Sequence, residues 1–164
     1  MMKREPLSAP WTDAVVMRDA RLPDVFLLMD LADQAGFQIN AQWFRAHLGV
    51  NAETEAYLVA TLDDAPIAGA MLHLVPAGHP SGPRAARLTA LVVDEDHRGG
   101  RLGLALLGYC EQRARDMGAD TLEICLPTGQ HSLDGFWDHH GYERHAAYRH
   151  HPPTLWAKTL AAGR

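Results

Sequence analysis

The chain predicts an α/β fold, with elements in the order strand, helix, helix, three strands, helix, strand, helix and two strands. Three observations point to it. Short apolar and β-branched runs alternate with segments whose apolar residues recur at helical spacing. Two such runs, Tyr57 to Leu62 and Ile67 to Val75, flank Asp63-Asp64-Ala65-Pro66, which is a hairpin signal. A later run ending at Leu91-Val92-Val93 passes through a glycine-containing turn into the clearest amphipathic segment of the chain.

Each element has its own warrant. Val15 to Arg18 is a short apolar run that suits a first strand. Leu22-Pro23-Asp24 opens a helix in which Val25, Leu28, Met29 and Leu31 share a face up to Gly36, and Pro23 falls in the first turn, where a missing N–H costs nothing. Ala41 to Leu48 reads as a second short helix. After the hairpin, residues 76–83 (Pro-Ala-Gly-His-Pro-Ser-Gly-Pro) are too rich in Gly and Pro for regular structure and predict a loop. Ala86 to Val93 follows as a strand, and Leu102 to Met117 as a helix whose Leu102, Leu106, Leu107, Cys110, Ala114 and Met117 form one stripe, ended by Gly118. Thr121 to Leu126 is a strand, Ser132 to His139 a short helix, and Tyr142 to Tyr148 and Leu155 to Leu160 the last two strands.

Composition bounds the function. The 164 residues, 47% hydrophobic and 21% charged, predict one domain over 1–164 with 1–12 loosely ordered. Such a domain buries roughly two-thirds of its unfolded surface, so it needs no disulfide or structural metal to form a core. No apolar run reaches the roughly 18 residues of a membrane helix, and residues 1–6 lack the apolar stretch of a secretory signal, so no membrane partner and a cytoplasmic location are expected. Cys110 and Cys125, in a helix and a strand by pattern, suit reduced buried thiols. A net charge of −5, with no basic cluster longer than a pair, leaves no electrostatic footprint for nucleic acid. The late histidines (His131, His139, His140, His145, His150 and His151) have no cysteine or carboxylate beside them at ligand spacing, and adjacent strand residues face opposite ways. No metal is expected; these imidazoles read as surface groups or as the lining of an acceptor pocket.

Leu91 to Leu107 carries the chemistry. A strand, a tight turn and a helix start present backbone N–H groups without intrahelical partners at the positive end of a macrodipole, a good seat for phosphate. Gly99, Gly100 and Gly103 remove side chains that would block a diphosphate, and Arg98 and Arg101 add charge. Glycines before a helix also simply close turns, so the pattern by itself leaves a plain connection open. Neither Gly-x-x-x-x-Gly-Lys-Ser/Thr nor Gly-x-Gly-x-x-Gly is matched, which weakens NTPase and dehydrogenase readings.

The segment Val93-Asp94-Glu95-Asp96-His97-Arg98-Gly99-Gly100-Arg101-Leu102-Gly103 resembles the acetyl-CoA pyrophosphate loop of the GNAT superfamily of N-acyltransferases, usually Val-x-Pro-x-Tyr-Arg-Gly-x-Gly-Ile-Gly before a helix. Phe136-Trp137-Asp138-His139-His140-Gly141-Tyr142 resembles the late Phe-Tyr-x-x-x-Gly-Phe of that superfamily, and the element order is similar over most of the chain. The resemblance implies a mixed, mostly antiparallel central sheet, splayed at the cofactor site near Leu91 to Val93 and flanked by helices. It implies acetyl-CoA as co-substrate, with the strand Leu91, Val92 and Val93 along the pantetheine arm. Arg98, Gly99, Gly100, Arg101, Leu102 and Gly103 would hold the pyrophosphate. Gln130, where the family often has an asparagine, would be a further contact.

Two departures qualify the resemblance. Arg101 replaces the middle glycine of the loop, which suits a position with ordinary helical dihedrals. Trp137 stands where many members have a tyrosine that protonates the departing thiolate, and an indole N–H is too weak an acid for that. A base is useful because an alkyl amine, with a pKa near 10, is mostly protonated at pH 7. Glu123, His73 and His131 are the catalytic candidates, with Ser132 beside His131; Glu123 reads equally as a solvated face residue, and His73, between Leu72 and Leu74, as a strand histidine with a structural partner. Tyr142, Tyr148 and Tyr109 are candidate replacement acids, although Tyr109 and Tyr142 also fit core positions.

The expected function is transfer of an acetyl group from acetyl-CoA to a primary amine of a small molecule or peptide by direct attack, with a homodimer allowed. The rivals are a non-catalytic acyl-CoA-binding regulatory module, motivated by Trp137, a protein N-acetyltransferase, and an NTP-binding or nucleic-acid-modifying domain.

Overall fold

The computed structural model describes residues 14–75, 84–99, 101–124, 134–145 and 155–160. Within them lie strands β1 (Val15–Asp19), β2 (Glu55–Leu62), β3 (Ala65–Leu74), β4 (Ala85–Val93), β5 (Thr121–Ile124), β6 (Glu143–His145) and β7 (Leu155–Thr159), and helices α1 (Val25–Gln34), α2 (Ala41–His47), α3 (Leu102–Asp116) and α4 (Asp134–His139). Single 3-10 turns at Leu22–Asp24 and Glu95–His97 lead towards α1 and α3. No described helix is long and apolar enough to cross a membrane.

The strands form one sheet in the order β1-β2-β3-β4-β5-β7-β6. Every neighbouring pair is antiparallel except β4 with β5. The mixed, mostly antiparallel α/β architecture is therefore as expected. Parallel neighbours cannot be joined by a tight turn, and α3 supplies the crossover.

Side-chain alternation divides the sheet into two faces. On one, α3 buries Leu102, Leu106, Leu107, Cys110 and Ala114 against strand residues including Leu58, Ala68, Leu72, Ala86, Leu88, Leu122 and Ile124. On the other, Val25, Leu28 and Ala32 of α1 and Phe44 of α2 pack over Val59. The α3 stripe read from the sequence is the buried one, with Met117 packed at its edge. Asn40 caps α2, its Oδ1 accepting from the Trp43 N–H at 2.8 Å. At the start of α1, buried Asp24 accepts from the Arg21 N–H and from both terminal nitrogens of Arg18.

Two details differ from the sequence reading. The hairpin turn is only Asp63-Asp64, both at positive φ (50° and 63°), and β3 already begins at Ala65, so Pro66 lies in the strand. Aspartate tolerates the left-handed region better than most residues, which lets two residues do the work expected of four. A register irregularity at Ala60/Thr61 accommodates Pro66 opposite Thr61. Second, several described ends move by one or two residues: β1 runs to Asp19, β2 begins at Glu55, β4 at Ala85 and β6 at Glu143, and α2 stops at His47 and α3 at Asp116. The expected loop at 76–83 lies outside the described residues, as do Cys125, Ser132 and the far ends of the strands expected at 121–126 and 142–148.

Candidate functional site

β4 has a register break between Met71 and Leu72 of its partner: Leu72 pairs with Leu88 and Met71 with Ala90, so Thr89 is the extra residue of a bulge. The described part of β5 pairs only with Ala85–Leu88, on the N-terminal side of that bulge. Beyond it, Leu91 and Val93 form one wall of a cleft of about 720 Å³. His97, Arg98 and Gly99 of the connecting loop form its end, the first residues of α3 its floor, and Phe136, Trp137, His139 and His140 the wall opposite. That volume lies within the roughly 300–1,000 Å³ of small-molecule sites.

The start of α3 is uncapped by any side chain. Its first intrahelical bond runs from the Ala105 N–H to the Arg101 carbonyl at 3.0 Å. The N–H groups of Leu102, Gly103 and Leu104 thus belong to the first turn, which lacks intrahelical acceptors, and all three residues line the cleft. A positive helix end flanked by Arg98 and Arg101 can hold a diphosphate. Arg98 is anchored through Nε to the Val93 carbonyl at 3.0 Å. Gly99, at φ +88°, takes a conformation that suits glycine, and a Cβ on Gly103 would stand 3.5 Å from Val93 Cγ2. Gly100 lies outside the described residues, as do Gln130 and His131.

Arg101 departs from the expectation of ordinary helical dihedrals: at φ 64° and ψ 10° it is left-handed. The β-carbon costs about 1–2 kcal/mol there. Arg101→Gly relieves that strain, while the freedom glycine adds to the unfolded chain offsets about 0.5–1 kcal/mol. Denaturant titration is expected to show R101G as stable as the parent or more so, by at most about 1 kcal/mol, while losing a cleft cation.

The opposite face of β4 has a different chemistry. Glu55, His73, Arg87 and Glu123 stand in register across β2, β3, β4 and β5. Glu123 is fully buried rather than a solvated face residue, and its Oε2 accepts from Arg87 Nε at 3.0 Å and from a terminal nitrogen at 2.9 Å. His73 is half-buried; burial first, then the Arg87 guanidinium, holds its imidazole below the usual value, so it is neutral at pH 7. Two residues along β3, Met71 borders a small apolar cavity of about 40 Å³ that Leu28, Phe44, Tyr57, Ala90 and Val92 help to line. The cleft and this cavity lie on opposite sides of the same stretch of β4.

The candidate replacement acids that the structure describes, Tyr109 and Tyr142, do not line the cleft. Tyr142 is buried, its hydroxyl donates to Glu111 Oε1 at 2.8 Å, and burial beside that carboxylate pushes its pKa far up. Tyr109 packs against the core, and Tyr148 lies outside the described residues. Trp137 is 3% exposed, edge-on to both Phe136 and Tyr142. Burial pushes the Cys110 thiol up to about 12, which makes it a poor acyl carrier. Three imidazoles, those of His97, His139 and His140, are among the described lining residues. Among the described residues no group of three His, Cys, Asp or Glu side chains is placed to hold a metal. Sequence reasoning missed Arg87 and Gln34, whose partners lie 36 and 60 positions away.

Residues 22–142 match the sequence model of the acetyltransferase (GNAT) family. No curated protein matches the chain. Among solved structures, the chain is similar to an acetyltransferase of the GNAT family from Desulfovibrio desulfuricans, with a TM-score of 0.72 and 19% identity over 90% of this chain and 100% of that one. It is also similar to yncA, an acetyltransferase from Salmonella typhimurium solved with its cofactor acetyl-CoA (TM-score 0.69, 13% identity, 92% and 96% covered). A third is the PaiA N-acetyltransferase from Thermoplasma acidophilum in complex with coenzyme A (0.67, 14%, 88% and 98%). At such identities the likeness is one of fold.

Proposed function

The chain belongs to the acetyltransferase (GNAT) family and is an acyl-CoA-dependent N-acyltransferase, and from that premise we propose that it transfers the acetyl group of acetyl-CoA directly to a primary amine of a small molecule or peptide. The cleft between β4, the start of α3 and α4 carries this reading. Its residues fit the co-substrate: an uncapped helix start, two glycines whose missing side chains keep the cradle open, and two arginines. Arg98, Gly99, Arg101, Leu102 and Gly103, with Gly100 between them, would hold the pyrophosphate. The backbone of Leu91 to Val93, running beyond the described pairing with β5, would hold the pantetheine arm as an added strand.

Acetyl-CoA brings an already activated thioester. What remains for the protein is to orient an amine, remove its proton and polarise the carbonyl with backbone N–H groups. The apolar cavity behind Ala90 and Val92 suits the carbon part of the acceptor. Of the base candidates, His73 suits the role better than Glu123. Its ring is neutral at pH 7 and two strand positions from Met71 at the cavity, whereas two bonds to Arg87 hold the buried Glu123 carboxylate.

Release of CoA across a panel of primary amines, followed with a thiol reagent, tests this. Turnover is expected with at least one amine, and His73→Ala should lower kcat about 100-fold and remove the acidic limb of the pH–rate profile. CoA binding without turnover on any amine would overturn the transferase reading, and an unchanged pH profile would remove His73 from it.

A further inference from the structure

We propose that Gln34, the last residue of α1, is a positioning residue that fixes the acetyl-CoA loop by clamping Asp94 and Glu95 at its start. This rests on the reading of the cleft as the acetyl-CoA site.

The geometry is specific. Gln34 Nε2 donates to Asp94 Oδ1 at 2.9 Å, and Gln34 Oε1 accepts from the Glu95 N–H at 3.0 Å, so both ends of one amide are used on two successive residues of the loop. The other carboxylate oxygen, Asp94 Oδ2, lies 2.8 Å from His97 Nδ1. The bonds from Gln34 and His97 hold the Asp94 carboxyl below the usual carboxylate range. It is therefore ionised at neutral pH, and as a pure acceptor it receives a hydrogen bond from His97 Nδ1–H. The Asp94 N–H donates to the Ile67 carbonyl at 2.9 Å, and the His97 N–H to the Asp94 carbonyl at 2.9 Å. Asp94 is thus tied to β3 by its backbone, to α1 by one carboxylate oxygen and to His97 by the other.

His97, Arg98 and Gly99 follow at once and all border the cleft. The loop leaves the sheet at Asp94, so a shift there is carried into the groups that would meet the pyrophosphate. Gly99 at positive φ and the uncapped α3 start add little stiffness of their own. A side chain from the far face of the sheet supplies it. Gln34 itself borders neither the cleft nor the apolar cavity. Its effect on acetyl-CoA would therefore pass through Asp94 and Glu95.

The test compares Gln34→Leu and Gln34→Glu with the parent, using calorimetric titration with CoA, steady-state kinetics with the best amine, and thermal unfolding. Losing a hydrogen bond to a charged group costs about tenfold or more. Q34L is expected to raise the Kd for CoA and the KM for acetyl-CoA about tenfold, leaving kcat and the acceptor KM within about twofold. In Q34E a carboxylate faces Asp94 Oδ1, with Asp30, Glu95 and His97 as its other charged or titratable neighbours. Relative to the parent at the same pH, Q34E should bind CoA worst near pH 8. It should recover towards pH 5, where the new carboxyl regains a proton to donate. A role confined to fold stability would lower the melting temperature without that pH-dependent recovery. Unchanged CoA affinity in Q34L, or a Q34E deficit independent of pH, would overturn the clamp. Failure of the parent to bind CoA would instead overturn the reading of the cleft.

Discussion

Gly103→Leu is expected to weaken CoA binding about 100-fold or more, equivalent to about 2.8 kcal/mol, without weakening the fold. Gly103 sits in the first turn of α3 and lines the cleft, half-buried. A Cβ there meets Val93 Cγ2 at 3.5 Å, an ordinary contact, so alanine fits. Atoms beyond Cβ must displace Val93 or enter the space proposed for the pyrophosphate. A helical position also favours leucine or alanine over glycine by up to about 1 kcal/mol. The expected signature is therefore a dissociation: G103L unfolds at or above the parent temperature and does not bind CoA, while G103A binds within about threefold of the parent. Gly99 provides the contrast, because its φ of +88° makes even alanine strained although nothing lies within 4 Å of a Cβ there. Calorimetric titration beside thermal unfolding reads both properties. Unchanged CoA affinity in G103L would falsify the cradle assignment.

What was legible in the sequence was local. The α3 stripe, the strand–turn–helix of residues 91–107 and the hairpin all follow from periodicity and turn chemistry within about 20 residues, and each is present in the fold. The paired motifs, Val93 to Gly103 and Phe136 to Tyr142, pointed to the cleft, and the structure brings parts of both to its walls. What was not legible depends on register. Arg87 reads as an ordinary polar position on a strand until β4 and β5 are laid side by side, which puts it opposite Glu123. Gln34 reads as the polar end of a helix, and its two partners are set by how α1 crosses the sheet. The left-handed backbone at Arg101 was also hidden, since the residue type argues against it. Only the geometry of the turn into α3 requires it.

Arg87→Ala is expected to destabilise the protein by about 3 kcal/mol, a large fraction of what a domain of this size has to lose. Glu123 has no exposed surface, and a carboxylate removed from water is tolerable only where opposite charge and donors replace its hydration. Arg87 supplies both through two nitrogens, at 3.0 and 2.9 Å, while keeping part of its own side chain in solvent. Removing the arginine takes away that compensation and leaves the cost of burial. Removing both charges does not: Arg87→Met combined with Glu123→Leu should recover most of the loss, because a buried ion pair contributes little beyond well-packed apolar side chains. Denaturant titrations of the two single variants and the double variant measure the coupling between the sites. The same set separates the two roles open to Glu123. If the carboxylate only braces the sheet beneath His73, the double variant regains stability and keeps a kcat within about tenfold of the parent. If it is the base, kcat falls about 100-fold or more and stays down when stability returns.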